Sequence, residues 1–140
     1  LTASTSGDPA WLASPPAAYD IVACWYPESE NPDAPGPELR PALVVAVLKG
    51  KRTGNFSLRV AYGTKILKII KRQTIDLIIQ NPQDVGLPRP TRFDLDRVIL
   101  LPWGPPFFGF WSGYATPKIG SLTETYIREY AFVMMKRASV

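Results

Sequence analysis

Gly36-Pro37-Glu38-Leu39-Arg40-Pro41-Ala42-Leu43-Val44-Val45-Ala46-Val47-Leu48-Lys49 passes from a segment that resists regular structure to one that strongly favours a strand. Ala42–Lys49 is continuously apolar and rich in β-branched residues, as expected of a strand buried on both faces. Upstream, Pro27–Pro41 holds five prolines (27, 32, 35, 37 and 41), Gly36 and the acids Glu28, Glu30, Asp33 and Glu38. Missing amide donors and fixed φ angles rule out a helix or a central strand there, so a long loop is expected. Before that loop, Tyr19–Tyr26 is β-prone and stops at Pro27, which predicts a first strand. After the buried strand, Lys51-Arg52-Thr53-Gly54-Asn55 reads as a turn and Phe56–Tyr62 as the returning arm of a hairpin that Gly63-Thr64 breaks.

Further along, Lys65–Lys71 spaces its lysines to suit one or two helical turns, and Gln73–Ile79 reads as another strand. Asn81–Pro90 is a loop, and Phe93–Leu101 alternates and then becomes wholly apolar, which predicts a further strand. Pro102–Gly113 interleaves breakers with Trp103, Phe107, Phe108, Phe110 and Trp111, so it is expected to be a packed, irregular loop. Ser121-Leu122-Thr123-Glu124 has the form of a capping box, and the apolar spacing after it predicts one C-terminal helix. About five strands with long connections and a terminal helix make a mostly β (α+β) domain, a small and strongly curved barrel-like sheet. Residues 17–140 are read as this single domain and residues 1–16 as a disordered tail outside it.

Composition narrows the chemistry. The 140 residues contain no histidine, which removes the usual general base and nucleophile activator and the commonest transition-metal ligand. The single Cys24 cannot form an internal disulfide, and it reads as a small core residue in a strand. No Gly-rich phosphate loop and no long apolar run occur, and residues 1–16 lack the regions of a signal peptide, so a cytoplasmic protein with no membrane segment and no cofactor is expected. Net charge is +4, but residues 49–72 carry eight bases and no acid. A patch of that kind attracts polyanions, RNA or DNA among them; it also suits a solvated hairpin that resists edge-to-edge aggregation.

Three strings, in this order of elements, resemble the MazF/PemK family of toxin endoribonucleases over about Tyr19 to Arg137. Tyr19-Asp20-Ile21-Val22 is similar to the family's opening Gly-Asp-Ile-Val strand, with tyrosine in the glycine position. Gly36 through Val45 resembles its Gly-rich loop, Arg-Pro pair and buried strand, and Val60-Ala61-Tyr62-Gly63-Thr64 its strand ending near a catalytic Thr or Ser. The resemblance implies an SH3-like barrel, normally a homodimer held in check by a cognate antitoxin, that cuts single-stranded RNA without a metal. It also implies that Arg40 and Thr64 act together on the scissile phosphate. The proline-rich acidic loop, the basic 65–72 segment and the aromatic 102–113 stretch depart from the family pattern.

RNA supplies its own nucleophile in the 2′-OH, so a chain without histidine can cleave it by positioning the phosphate and stabilising the charge that builds on it. A guanidinium suits that task because its rigid fork of donors matches two phosphate oxygens. Arg40 can equally well ion-pair with Glu38 or Asp20 and only anchor the loop, and Thr64 can be an ordinary strand-end threonine. Lys51, Arg52, Lys65, Lys68 and Lys71 are candidates for RNA-backbone contacts. The six large rings from Trp103 to Tyr114 are divided between core and a dimer or antitoxin interface, with base stacking a third use. Asp94 and Asp96 lack a third ligand for a metal site. Two other functions fit the same barrel: a gyrase-binding toxin of the CcdB type, and a non-catalytic nucleic-acid or protein-binding module. The loop around Arg40 is expected to gate the site as well as furnish it.

Overall fold

The computed structural model describes residues 10–66 and 76–139. Six strands, β1 (Asp20–Cys24), β2 (Arg40–Lys49), β3 (Phe56–Lys65), β4 (Leu77–Ile79), β5 (Thr91–Pro102) and β6 (Lys118–Ser121), precede one helix, α1 (Glu124–Ala138). They form a single antiparallel sheet in the order β4-β5-β3-β2-β1-β6, curled into a half-barrel. The architecture is the mostly β one expected, with a C-terminal helix. The helical turns expected over 65–71 fall largely on residues 67–75, outside the described residues, as do Lys68 and Lys71, while Lys65 ends β3; of the strand expected over 73–79, the described part holds β4 at Leu77–Ile79.

Each strand follows its side chains. β1 is buried along its whole length and β2 in its first half, because both lie inside the sheet with material packed on either face. One core gathers Ile21, Leu43, Ala61, Phe93 and Leu95 beneath Leu122 and Tyr126 at the start of α1. The other gathers Val22, Cys24, Ala42, Val44, Leu58 and Val60 beneath Trp11 and Phe108. Alternate residues of β1 and β2 thus go to opposite cores, the period-2 consequence of the pleat. Full burial of a large side chain such as Phe93 or Phe108 contributes roughly 1.5–3 kcal/mol.

Four expectations are corrected. Residues 10–16 are not a tail outside the fold: Ala10–Ala13 is a turn of 3-10 helix whose Trp11 is 6% exposed in the second core, edge-on to Trp103 at 4.8 Å. A large ring that finds an apolar socket overrides the proline-rich composition around it. Gly63-Thr64 does not break the hairpin, since β3 runs through to Lys65. Arg40 and Pro41 belong to β2 rather than to the loop; Pro41, second residue of the strand, lies opposite Ala23, one pair in from the end of the ladder. The cap of α1 is Thr123, whose hydroxyl accepts from the Tyr126 amide at 3.3 Å, because Ser121 instead donates its hydroxyl to Asp20 Oδ1 at 2.7 Å.

Tyr19, in the glycine position of the resemblance, has φ 74, the one positive value outside glycine among the described residues. Its ring meets Tyr130 of α1 edge-on at 5.6 Å, and its amide donates to Val44 O at 2.7 Å. These contacts hold a left-handed conformation that costs most side chains about 1–2 kcal/mol. No helix among the described residues is long and apolar enough to cross a membrane.

Candidate active site

The site is assembled where β2 begins and β3 ends. Ala42 faces Tyr62 in the last pair of the β2–β3 ladder, and Arg40 and Thr64 lie two residues beyond it on their own strands. Between them Gly63 lets the strands close: a Cβ there would stand 2.4 Å from the Pro41 carbonyl oxygen. No other residue fits without moving β2 away from β3. On its far side Thr64 faces Arg92 of β5, whose guanidinium is held by the buried Asp76 carboxylate at 3.0 Å.

Arg40 and Thr64 line one cleft of about 470 Å³, together with Lys65, Arg89, Trp111 and Tyr114. The Thr64 hydroxyl has no side-chain hydrogen bond among the described residues and is free to contact a ligand. Trp111 and Tyr114 lie edge to face, 6.3 Å between centroids, on one wall. Cations, a hydroxyl and aromatic faces in one groove suit an unpaired nucleotide, whose phosphate seeks the charges and whose base seeks the rings.

Arg40 also borders a second cleft of about 290 Å³, lined by Tyr26, Glu28, Glu30, Glu38, Tyr62 and Arg97. Its Nη2 lies 2.8 Å from Glu38 Oε2, and its guanidinium carbon 5.1 Å from the Tyr62 ring centroid. The ion pair to Glu38 is therefore real, and the Asp20 alternative is not, because Asp20 serves Ser121 and Lys118. The acidic loop returns on itself at Gly36, whose amide donates to Trp25 O at 3.0 Å and where a Cβ would stand 2.0 Å from Tyr26 O. Tyr26 is pinned below, its hydroxyl donating to Arg97 O at 2.6 Å, with Val60 O a second acceptor in reach at 3.2 Å. Burial pushes that phenol above its ordinary pKa, and the neighbouring Arg97 partly opposes the shift.

Of the other sequence candidates, Lys65 lies in the site, whereas exposed Lys51 and Arg52 occupy the β2–β3 turn. The length of β2 puts that turn about 30 Å from Arg40, so the two groups do not form one rail. Phe108 is not an interface residue: it is fully buried and bridges to Cys24. Trp103, Phe107 and Phe110 pack partly buried against the same core, while Trp111 turns to the cleft. Asp94 accepts from the Asp96 amide at 2.9 Å, and Asp96 pairs with Arg137, so both carboxylates have structural partners. Burial drives the Cys24 thiol well above its usual range, the opposite of what a nucleophile needs.

Arg89 and Arg97 escape sequence reasoning, whereas Tyr114 is the last of the six rings weighed there. Arg89 sits in a Pro-Arg-Pro string that signals only a loop, and the placement of Arg97 depends on a break in register that no local pattern announces. No family model matches the chain, and no curated protein matches it significantly in sequence.

Proposed function

We propose that this protein is a toxin-type endoribonuclease that cuts single-stranded RNA without a metal, by attack of the substrate's own 2′-OH. What supports the reading most is that Arg40 and Thr64, far apart in sequence, line one cleft that also offers two further cations and two aromatic faces. In this reaction Arg40 exchanges Glu38 for the scissile phosphate and stabilises the dianionic phosphorane. Thr64 hydrogen-bonds a phosphate oxygen or orients the 2′-OH. Attack forms the bond from the 2′-oxygen to phosphorus and breaks the bond to the 5′-oxygen; the 2′-OH gives its proton to solvent and the leaving oxygen takes one from it, which leaves a 2′,3′-cyclic phosphate on one fragment and a 5′-OH on the other. Lys65 and Arg89 hold the flanking backbone, and Trp111 with Tyr114 receive a neighbouring base.

A homodimer, a cognate antitoxin and a cytoplasmic site of action belong to the same reading. Wild type and Arg40→Ala are to be expressed in bacteria, growth scored and cellular RNA 5′ ends mapped. New clustered 5′-OH ends with growth arrest in wild type alone support the nuclease. Arrest that persists in Arg40→Ala without new ends favours a toxin that acts by binding protein, and no arrest favours a non-catalytic module.

A further inference from the structure

β5 is interrupted at one place in its pairing with β3. Ala61 faces Val98, yet the next residue, Tyr62, faces Asp94, so Leu95, Asp96 and Arg97 have no partners on β3. An odd number of extra residues exchanges the faces of a strand. Phe93 and Leu95 accordingly enter the core beneath α1, whereas Ile99 and Leu101, of the same parity, join the opposite core. Had the pleat of Phe93 and Leu95 continued unbroken, Arg97 would point beneath the helix. With it, the guanidinium carbon lies 3.9 Å from the Tyr62 centroid and 5.5 Å from that of Tyr26, in the cleft shared with Arg40.

The bulge is held from both sides. Arg137 of α1 donates to Leu95 O at 3.1 Å and pairs with Asp96, and Tyr26 donates to Arg97 O. Arg97 itself has no carboxylate within ion-pair distance among the described residues. A half-buried guanidinium stacked on a ring, with its donor edge unpaired and its backbone clamped, is prepared for a ligand. A phosphate is a poor fit, because Glu28 and Glu30 share the cleft and have no ion-pair partners among the described residues either. A nucleobase is neutral and can satisfy both signs. Guanine alone presents two adjacent acceptors, O6 and N7, to an arginine fork and two adjacent donors, N1–H and N2–H, to a carboxylate.

We infer that the Tyr26–Tyr62–Arg97 cleft is a base-reading subsite that selects guanine next to the cut, with Arg97 on O6 and N7 and Glu28 or Glu30 on N1 and N2. This deepens the nuclease reading and rests on it for the position of the cut. The phosphates then run along Arg40, Lys65 and Arg89, away from the acidic loop.

The test is binding of single-stranded hexamers of 2′-O-methyl uridine carrying one G, A or C, followed by fluorescence anisotropy with wild type, Arg97→Ala and Arg97→Lys. The blocked 2′-OH separates binding from cleavage. Guanine hexamers are expected to bind wild type about tenfold or more tightly than the others. Arg97→Ala should lose that preference, and Arg97→Lys should lose it while keeping affinity for the uridine hexamer. No guanine preference in wild type, or one unchanged in Arg97→Lys, overturns the inference. A wild type that prefers guanine but leaves unmodified RNA intact removes the nuclease reading alone; one that cuts with no guanine preference removes the subsite alone.

Discussion

Arg40 is held by Glu38 at 2.8 Å, at the point where the two clefts meet. The carboxylate occupies the donors that a phosphate would use, so under the proposed function it would compete with RNA for the same group. With the Glu38 side chain 65% exposed, the pair is worth no more than about 1 kcal/mol. Glu38→Gln is therefore expected to strengthen binding of single-stranded RNA by up to about fivefold. Weaker binding in a titration of the variant would mean that Glu38 orients Arg40 rather than competing for it.

Position along the sheet separates the basic residues. Lys65 and Arg89 line the cleft, whereas Lys51 and Arg52 sit at the distant turn. Each lost phosphate contact should lower the slope of log affinity against log salt by about 0.7 for a single strand. Lys65→Ala and Arg89→Ala are expected to show that decrease in filter binding across a salt series. The Lys51→Ala, Arg52→Ala double variant should leave the slope unchanged; a drop there would extend the RNA track along the hairpin.

Trp11 ties the first described turn to the second core, and its indole N–H has no hydrogen-bond partner among the described residues. Trp11→Ala removes a large buried ring and is expected to lower stability by about 3 kcal/mol, at the low end for such changes because an unsatisfied donor leaves with it. Urea unfolding followed by circular dichroism measures the loss. A change below about 1 kcal/mol would return this segment to the status of a dispensable tail.

Cys24 and Tyr26 both have their neutral forms favoured by burial, so their folded pKa values lie above the unfolded 9.0 and 10.0. Above those values the unfolded chain sheds protons that the folded chain keeps, and stability falls as pH rises. Urea midpoints are thus expected to drop between about pH 8 and about pH 10.5, and to drop less in Cys24→Ala with Tyr26→Phe. In the native protein Cys24 should resist thiol reagents until denaturant is added.

The strands were legible because their signal is local: β-branched runs in β2 and alternation in β3 need no knowledge of what packs on them. Arg40 and Thr64 were legible only through a resemblance, and their meeting depends on the β2–β3 register and on Gly63. Long-range packing hid the rest. Trp11 read as tail because its partner Trp103 is remote in sequence, and Ser121 read as a cap because its competitor Asp20 is equally remote. Arg97 shows the limit most clearly: parity counted from Leu95 assigns it to the core beneath α1, parity counted from Ile99 to the opposite face, and the bulge decides between them.

The most direct measurement is cleavage of a mixed-sequence single-stranded RNA by purified protein in excess EDTA, with fragment ends identified by mass spectrometry. Fragments ending in 2′,3′-cyclic phosphate and 5′-OH are expected, with rates reduced about a hundredfold or more in Arg40→Ala. Intact RNA, or cleavage that Arg40→Ala leaves untouched, would contradict the assignment of Arg40 to the scissile phosphate.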